Sequence, residues 1–491
     1  MTRLASLLLF ILISISLATP SAARSLASVG CEGPPASDAS QSPSTASALR
    51  QVRAWLDAMR TLDDAAYVRF IQDRGPVLLG EPAQWLDLRS ALRSLEFCAV
   101  KSAEAGSIDV WMFDPNWDSY GIASFKAGAM APDRIEFVFL RMADEVPPGF
   151  PRPPKLAPAL LVEAVRSRAA SRAAEDQFSG AVLLARRGRV IFQQAYGFAD
   201  RANHKPNALD TQFRFGSMGK MFTTVAIMQL AQDGRIDLGA PIGRYLADYP
   251  NSELAAKVTI ANLLTHTGGT GDIFGPDFDA HKDSLRSLAD YVGLYGKRPL
   301  DFTPGSRVAY SNYGFILLGR IVEQVSGLRY DAYIRRNILD PAGMTSTGNL
   351  PESDVLPRRA IGYMGSETKL VPADETLPLS GTSAGGGYST VGDFNRFVRG
   401  LTSHRLLRRA TLRKLIDGGM RTNDGRFVHF DFGGSMAGTG RYIGHNGGAP
   451  GMSGALYHFL DSDFTLIVLA NRDPGAAESI ALFAAHRLPA H

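Results

Sequence analysis

The fold of this chain is decided by the stretch Phe213-Arg214-Phe215-Gly216-Ser217-Met218-Gly219-Lys220, which leads into an apolar run that continues to Leu230. The pattern predicts a short loop or strand end, followed by a mostly apolar helix that ends at Gly234. Ser217 and Lys220 are three residues apart, so their side chains share one face of a helix. A serine hydroxyl beside an amine at a buried helix N-terminus is a candidate for an activated nucleophile.

Length and composition are those of an ordinary globular protein with more than one domain. The chain has 491 residues, which predicts two or three domains. Its hydrophobic content is 45% and its charged content is 20%, as in most globular proteins. The formal net charge is only +4, and no run of lysine and arginine is interleaved with aromatic residues. Nucleic acid is therefore not a predicted partner.

The first residues have the pattern of an export signal. Residues 1–23 begin with a short positive segment, continue as an apolar run over 4–17 and end in small residues. This is the plan of a secretory signal peptide, and the run is short for a membrane span. We therefore predict an exported protein, periplasmic or extracellular, with no stable membrane span after signal removal. The less favoured alternatives are a membrane anchor and a lipoprotein attached at Cys31, where Ser28 replaces the usual leucine.

The sequence contains two cysteines, Cys31 and Cys98. An export signal with an even number of cysteines permits a disulfide, and two unpaired thiols are the equal alternative because sequence gives no distance. No Cys/His cluster has the spacing of zinc ligands, and no His-Glu-x-x-His motif is present. We predict no metal and no cofactor.

Composition divides the rest of the chain into four segments. Residues 24–45 are rich in serine, alanine and proline and are predicted to be disordered. Residues 46–143 show helical periodicity and then strand-like runs, which predicts a small α+β domain that resembles NTF2-like or cystatin-like domains. A Pro-rich linker covers 144–158, before a large domain over 159–491. The small domain has no convergent set of polar residues, which favours a spacer or a partner-binding module.

Strand-like runs occur at both ends of the large domain. Near its start they cover 180–185 and 190–196. Near its end they cover 454–459 and 464–471, and a closing helix follows over 476–487. We therefore expect an antiparallel sheet built from both ends of the domain, with a helical insert between them.

Two further motifs follow the Ser217-to-Lys220 motif along the chain. Tyr310-Ser311-Asn312 precedes an apolar run, and His445-Asn446-Gly447-Gly448 precedes a predicted strand. A Ser-x-x-Lys match alone is weak evidence, because a lysine one turn after a serine is usually a solvated surface residue. Ser366 and Lys369 form a second such match, with no apolar helix to bury the lysine. The order of the three motifs distinguishes the Ser217 site from this second match.

The ordered motifs resemble those of the serine β-lactamase-related hydrolases, a superfamily of class C β-lactamases, D-alanyl-D-alanine carboxypeptidases, D-aminopeptidases and esterases. Leu263–Gly269 and Ala384–Thr390 match the same family. The resemblance extends from about Ala159 to the end of the chain. It implies an α+β fold of the β-lactamase/transpeptidase type, in which helices flank an antiparallel sheet and an all-α region is inserted.

The resemblance also implies roles for individual residues. Ser217 would be the acyl-accepting nucleophile, and Lys220, desolvated among apolar neighbours, would accept its proton. Tyr310 would share this proton relay and protonate the leaving group, its pKa lowered by the lysine charge. Asn312 would hold either the substrate amide or the lysine. The backbone N–H groups of Ser217 and Gly448 would form the oxyanion hole.

His445 departs from the family pattern, because β-lactamases and penicillin-binding carboxypeptidases usually have lysine at this position. A histidine is mostly neutral at pH 7, so its attraction for a substrate carboxylate is weaker. Esterases of the family and some peptidases resemble His-x-Gly here, which favours an ester or an uncharged acyl substrate. His266, within another matching stretch, is interpreted as a structural loop histidine.

The sequence therefore predicts an exported serine hydrolase that forms an acyl-enzyme with a small acyl substrate, which is an ester, an amide or peptidoglycan-like. The favoured activity is that of an esterase or a D-amino-acid-type peptidase. The alternatives are a β-lactamase or D-alanyl-D-alanine carboxypeptidase, and a non-catalytic penicillin-recognising sensor or scaffold. The substrate, the oligomeric state and the role of residues 46–143 stay open.

Overall fold

In the computed structural model, the chain forms two compact units. The first contains the chain up to Val165 together with Leu482–Pro489, and the second contains Arg166–Ala481. The predicted signal peptide, residues 1–23, lies outside the described residues, as does most of the segment 24–45. The structure describes residues 31, 43–74, 82, 85–86, 89, 92–104, 107–127, 135–143, 146–147, 149–351, 354, 356–366, 369–373, 378 and 380–489.

Within the described part of the first unit, two complete helices precede a four-stranded antiparallel meander. The helices are α1 (Pro43–Thr61) and α2 (Asp64–Asp73), and the strands are β1 (Glu96–Glu104), β2 (Ser107–Asp114), β3 (Ser119–Ala127) and β4 (Ile135–Met142). α1 begins slightly before the predicted domain start at residue 46, because proline is favoured in the first turn of a helix. The small α+β domain over 46–143 and its NTF2-like or cystatin-like identity stay predictions.

The core of the first unit joins α1 to this sheet. Trp55 and Met59 are one helical turn apart, and both are buried. The ring of Trp55 meets Phe125 of β3 edge to face, with centroids 5.6 Å apart. Arg487 also belongs to this unit, where it is buried and forms an ion pair with Asp118. Because both partners are buried, loss of either one would leave an uncompensated charge.

The helices that follow along the chain are mostly short. They are α3 (Pro158–Ala174), α4 (Lys220–Gln232), α5 (Ser252–Lys257), α6 (Ile260–Leu264), α7 (Pro276–His281), α8 (Leu288–Tyr295), α9 (Asn312–Ser326), α10 (Tyr330–Ile334), α11 (Asp340–Ala342), α12 (Val391–Thr402), α13 (Arg409–Asp417) and α14 (Ala476–His486). Within the described chain, no helix combines the length and the apolar character that crossing a membrane requires.

The second unit is built on a six-stranded antiparallel sheet. Its strands are, in spatial order, β15 (Gly433–Met436), β16 (Gly440–Ala449), β17 (Met452–Phe459), β18 (Phe464–Ala470), β5 (Gly180–Arg186) and β6 (Arg189–Tyr196). Strands from the start and the end of the domain meet where β18 pairs with β5. This confirms the prediction of an antiparallel sheet built from both ends of the domain. The shorter strands outside this sheet are β7 (Phe198–Asp200), β8 (Lys205–Pro206), β9 (Phe213–Arg214), β10 (Tyr363–Ser366), β11 (Lys369–Pro372), β12 (Tyr388–Ser389), β13 (Gly419–Arg421) and β14 (Phe427–His429).

α4 lies in the core of the second unit. It is buried without interruption from Lys220 to Met228, as expected for a helix that is apolar on all sides. The helix ends at Gln232, and Gly234 follows with a φ of +71°. Ser217 lies just before α4 in a 3-10 turn, Gly216–Gly219, rather than in the α-helix itself. The predicted apolar helix is therefore present, with its α-helical part beginning at Lys220.

A disulfide joins Cys31 to Cys98 of β1. The sequence alone left bonded and free thiols as equal alternatives. The bond closes a long loop, because the two cysteines are 67 residues apart in sequence. Closing a long loop restricts the unfolded chain and so stabilises the folded state.

Removal of this disulfide is expected to destabilise the first unit by about 4 kcal/mol, the loop entropy that the cross-link removes from the unfolded chain. The Cys31→Ser/Cys98→Ser double variant should therefore unfold at a lower urea concentration than the oxidised wild type. Tryptophan fluorescence reports on this unit, because all four tryptophans lie within residues 46–143. Reduced wild type serves as the control and should match the variant. Equal midpoints for oxidised and reduced wild type would refute a stabilising bond.

Candidate active site

The turn that carries Ser217 packs directly against β16. Gly216 has a φ of +53°, and a Cβ atom there would lie 2.9 Å from the backbone nitrogen of Gly448. A Cβ atom on Gly447 would lie 2.8 Å from the backbone nitrogen of Ser217. Both positions therefore require glycine. The close approach brings the backbone N–H groups of Ser217 and Gly448 into the same region.

The amine of Lys220 lies in the interior, one turn after Ser217. The residue is 0% exposed. Its Nζ is 3.2 Å from Ser217 Oγ and donates to Asn312 Oδ1 at 2.7 Å. It also donates to the carbonyl oxygen of Ala384, in the second stretch that matches the family. The amine therefore contacts the candidate nucleophile and is held by two other oxygen atoms.

Burial alters the proton affinity of Lys220. It lowers the pKa of the amine to about 8, although the charges of Asp431 and Asp272 act in the opposite direction. The cause is lost hydration, which penalises the charged form of a buried amine. A fraction of the amine is therefore neutral near pH 7 and can accept a proton from a neighbouring hydroxyl.

The hydroxyl of Tyr310 donates to Ser217 Oγ at 2.9 Å. Desolvation raises the pKa of Tyr310 well above its usual value of 10, and the carboxylates of Asp431 and Asp272 raise it further. The prediction that the lysine charge lowers this pKa is therefore wrong. Burial and two nearby carboxylates outweigh an amine that is itself partly neutral. Tyr310 is a neutral phenol and can donate a proton.

Asn312 is oriented by a carboxylate that the sequence did not indicate. Its backbone N–H and its Nδ2 each donate to Asp272, at 3.2 Å. Because Nδ2 faces this carboxylate, Oδ1 faces Lys220. The family resemblance allowed Asn312 to hold either the substrate amide or the lysine, and the contact present in the structure is the one with the lysine.

Asp431 binds two histidines beside the site. Its Oδ2 lies 2.9 Å from His266 Nε2 and 3.0 Å from His445 Nε2. The Nδ1 of His266 accepts the backbone N–H of Ser311 at 3.1 Å, so its Nε2 carries the proton donated to Asp431. Desolvation acts to raise the pKa of Asp431, but the charge of His445 and the hydrogen bonds of both histidines hold it well below its usual value.

His266 lies closer to the candidate nucleophile than its interpretation as a loop histidine suggests. Its ring stacks on Tyr310, with centroids 4.4 Å apart, and it lies 5.3 Å from the ring of Phe315. Its backbone has a φ of +55°, which is uncommon for a residue with a side chain. The ring therefore packs against the phenol that contacts Ser217 and connects it to Asp431.

Sequence reasoning missed Asp272 and Asp431 as members of the site. Asp272 comes soon after the matching stretch Leu263–Gly269, and this closeness was the one signal available for it. Asp431 lies between the short strands β14 and β15, where no motif marks it. The second Ser-x-x-Lys match forms a hairpin in which Ser366 pairs with Lys369. In the part of the chain that the structure describes, no cluster of His, Cys, Asp or Glu could hold a metal ion.

Known proteins with a similar sequence include penicillin-binding proteins and an esterase. A family model described as Beta-lactamase matches residues 165–490. Penicillin-binding protein 4* of Bacillus subtilis (strain 168) is 30% identical over 320 residues, which cover 61% of this chain and 69% of that protein. Esterase EstB of Burkholderia gladioli is 33% identical over 196 residues, which cover 35% of this chain and 48% of the esterase.

A solved structure with a similar fold is that of D-amino acid amidase from Ochrobactrum anthropi SV3, complexed with L-phenylalanine amide. The TM-score is 0.56 at 25% identity, and the match covers 66% of this chain and 98% of the amidase. The β-lactamase/transpeptidase-like fold that the sequence predicted is thereby confirmed. The chain belongs to the beta-lactamase family and is a serine hydrolase.

Proposed function

We propose that the protein is an exported serine hydrolase that cleaves small esters or D-aminoacyl amides through an acyl-enzyme on Ser217. One observation supports this most strongly. Ser217 Oγ is 3.2 Å from the buried amine of Lys220 and 2.9 Å from the hydroxyl of Tyr310. A hydroxyl between a base and a neutral acid is suited to nucleophilic attack and to protonation of the leaving group.

In the proposed acylation step, the neutral amine of Lys220 takes the proton of the Ser217 hydroxyl while Oγ bonds to the substrate carbonyl carbon. The carbonyl π electrons move to its oxygen. The backbone N–H groups of Ser217 and Gly448 donate to this oxyanion, and the close packing of Gly447 on the nucleophile turn supports this role. One such donor is typically worth about 3 kcal/mol of transition-state stabilisation.

Collapse of the tetrahedral intermediate then breaks the bond between the carbonyl carbon and the leaving group. Tyr310 gives its proton to the leaving atom, and the Lys220 ammonium returns a proton to the phenolate. Both groups thereby regain their starting protonation states in the acyl-enzyme. The same groups act again when water attacks the acyl carbon from the side where the leaving group was. This step releases the acyl group and frees Ser217.

The charges around the site favour a substrate without a carboxylate close to the reacting carbonyl. Asp431 is held in its ionised form, and Asp272 contacts Asn312 nearby. His445 is hydrogen-bonded to Asp431 at 3.0 Å, whereas a lysine in its place would carry a fixed positive charge. Esters and D-amino acid amides meet this requirement, and the similar proteins include an esterase and a D-amino acid amidase.

β-Lactamase or D-alanyl-D-alanine carboxypeptidase activity is the second candidate, because a similar protein is named penicillin-binding protein 4*. The same serine, lysine and tyrosine would serve this chemistry. The difference lies in recognition of the substrate carboxylate, for which histidine is a weaker partner than lysine. A penicillin-recognising sensor would share the acylation step and lack the release step.

Replacement of Ser217 by alanine should abolish turnover. We expect kcat for p-nitrophenyl butyrate to fall by about 10⁵-fold or more, because removal of one group from a set that acts as a unit removes most of the catalysis. Labelling by a fluorophosphonate should disappear as well. Ser366→Ala is the matched control, since Ser366 begins the other Ser-x-x-Lys match, and it should retain wild-type activity. Labelling that persists in Ser217→Ala protein would identify a different nucleophile.

The pH profile of kcat/KM should have a rising limb and no falling limb up to about pH 10. Lys220 is a base only when neutral, so activity should rise with pH and level off above about 8, where the buried amine has lost its proton. Tyr310 is an acid only when protonated, and its pKa lies well above 10. Initial rates of ester hydrolysis, corrected for spontaneous hydrolysis, measure this profile. A single inflection at about 6.5 would indicate a histidine base instead.

A further inference from the structure

The first turn of α14 contacts the strand that carries Gly448. Glu478 in this turn is 2% exposed. Its Oε2 accepts the backbone N–H of Gly475 at 3.0 Å, and the side chain of Asn446 interacts with its carboxyl group and lowers the pKa of that group. Burial of a carboxylate is costly, and these interactions offset part of that cost. The contacts of Glu478 therefore connect the start of α14 to β16.

A second contact reaches β16 from the turn just before α14. Asn446 and Gly448 are two residues apart on the strand, so they face the same side of it. Asn446 interacts with the carboxyl group of Glu478, and a Cβ atom on Gly448 would lie 2.7 Å from Pro474 Cγ. Pro474 therefore packs directly on Gly448. The two contacts lie on either side of the Gly447–Gly448 peptide.

The paired strands β16 and β17 contact α14 at a third point. On the opposite face, β16 contacts the turn that carries Ser217. Ser453 of β17 pairs with Gly448, and its Oγ accepts the backbone N–H of Ala477 at 3.0 Å. Gly447 faces the opposite way, toward the backbone nitrogen of Ser217. A displacement of β16 relative to α14 therefore changes the distance between the N–H groups of Ser217 and Gly448.

We propose that Glu478 is a positioning residue for the oxyanion hole. Its carboxylate holds Gly475 next to Pro474 and interacts with Asn446, and together with the Pro474 contact this places the N–H of Gly448 where the oxyanion forms. The inference rests on the proposed acyl-enzyme mechanism at Ser217. Such positioning acts on the transition state and little on substrate binding, because the oxyanion exists only after attack.

Glu478 changes its charge close to neutral pH. Burial raises its pKa to about 7, against the lowering effect of its hydrogen bonds to backbone N–H groups and Asn446. Tyr457 of β17 is the titratable group that faces it from the sheet, and burial raises the pKa of this phenol well above 10, with Tyr442 and Glu478 adding to the shift. The ionised carboxylate accepts the N–H of Gly475 and interacts with Asn446, and protonation weakens both interactions. The contacts that hold β16 are therefore strongest above about pH 7.

The test compares Glu478→Gln and Asn446→Ala with the wild type on p-nitrophenyl butyrate. Glutamine keeps the shape of glutamate without its charge, and Asn446 is exposed, so its truncation leaves the core intact. In both variants we expect kcat to fall about tenfold with KM unchanged, because displacement of an oxyanion donor costs less than its removal. In the wild type, the rise of kcat with pH should follow the loss of two protons, one from Lys220 and one from Glu478. In the variants it should follow the loss of the Lys220 proton alone.

Glu253→Gln on the exposed surface of α5 is the matched control, and it should keep the wild-type kcat and pH profile. A wild-type kcat and a two-proton profile in both Glu478→Gln and Asn446→Ala would overturn the inference and leave the acyl-enzyme proposal intact. A raised KM at constant kcat would overturn it as well. If Glu478→Gln does not fold, Asn446→Ala alone decides. Failure of the acyl-enzyme proposal would instead be seen as full activity of Ser217→Ala.

Discussion

The amine of Lys220 is fully buried, and the rest of the candidate site is arranged around this burial. An amine that loses its hydration is tolerated only where oxygen atoms replace the lost water. Ser217 Oγ, Asn312 Oδ1 and the carbonyl oxygen of Ala384 take that place. The same burial lowers the pKa of the amine to about 8, so the contacts and the proton affinity of Lys220 have one cause. The mechanism needs an amine that is partly neutral near pH 7, and burial supplies it.

The groups around this amine come from distant parts of the chain. α4 is apolar on all sides, so it lies in the core and places Lys220 at its buried first turn. Asn312 begins α9, where Ser311 caps the helix by accepting the N–H of Gly314 at 2.9 Å. β16 approaches from the sheet, and glycine at 447 and 448 lets its backbone reach the nucleophile turn. A helix, a helix start and a strand thus meet at one hydroxyl.

Local sequence patterns predicted much of this arrangement, whereas interactions between charged residues distant in sequence could not be predicted. Apolar runs marked α4 and the strands of the sheet, and the order of the motifs marked Ser217, Lys220 and Tyr310. The carboxylates of Asp272 and Asp431 carry no motif, because Asn312 and His266, with which they form hydrogen bonds, lie far away in sequence. The sign of the Tyr310 pKa shift could not be predicted for the same reason. It depends on burial and on two carboxylates that only the folded chain brings near the phenol.

Acylation and release at Ser217 are tested most directly by intact-protein mass spectrometry of reactions stopped during turnover. The substrates are p-nitrophenyl butyrate, D-phenylalanine amide and a chromogenic cephalosporin, with peptide mapping of any adduct. We predict a transient mass increase equal to the acyl group of the ester or the amide, located on Ser217 and lost as the substrate is consumed. An adduct on another residue, or one that forms only with the cephalosporin and never decays, would contradict a hydrolase with this specificity.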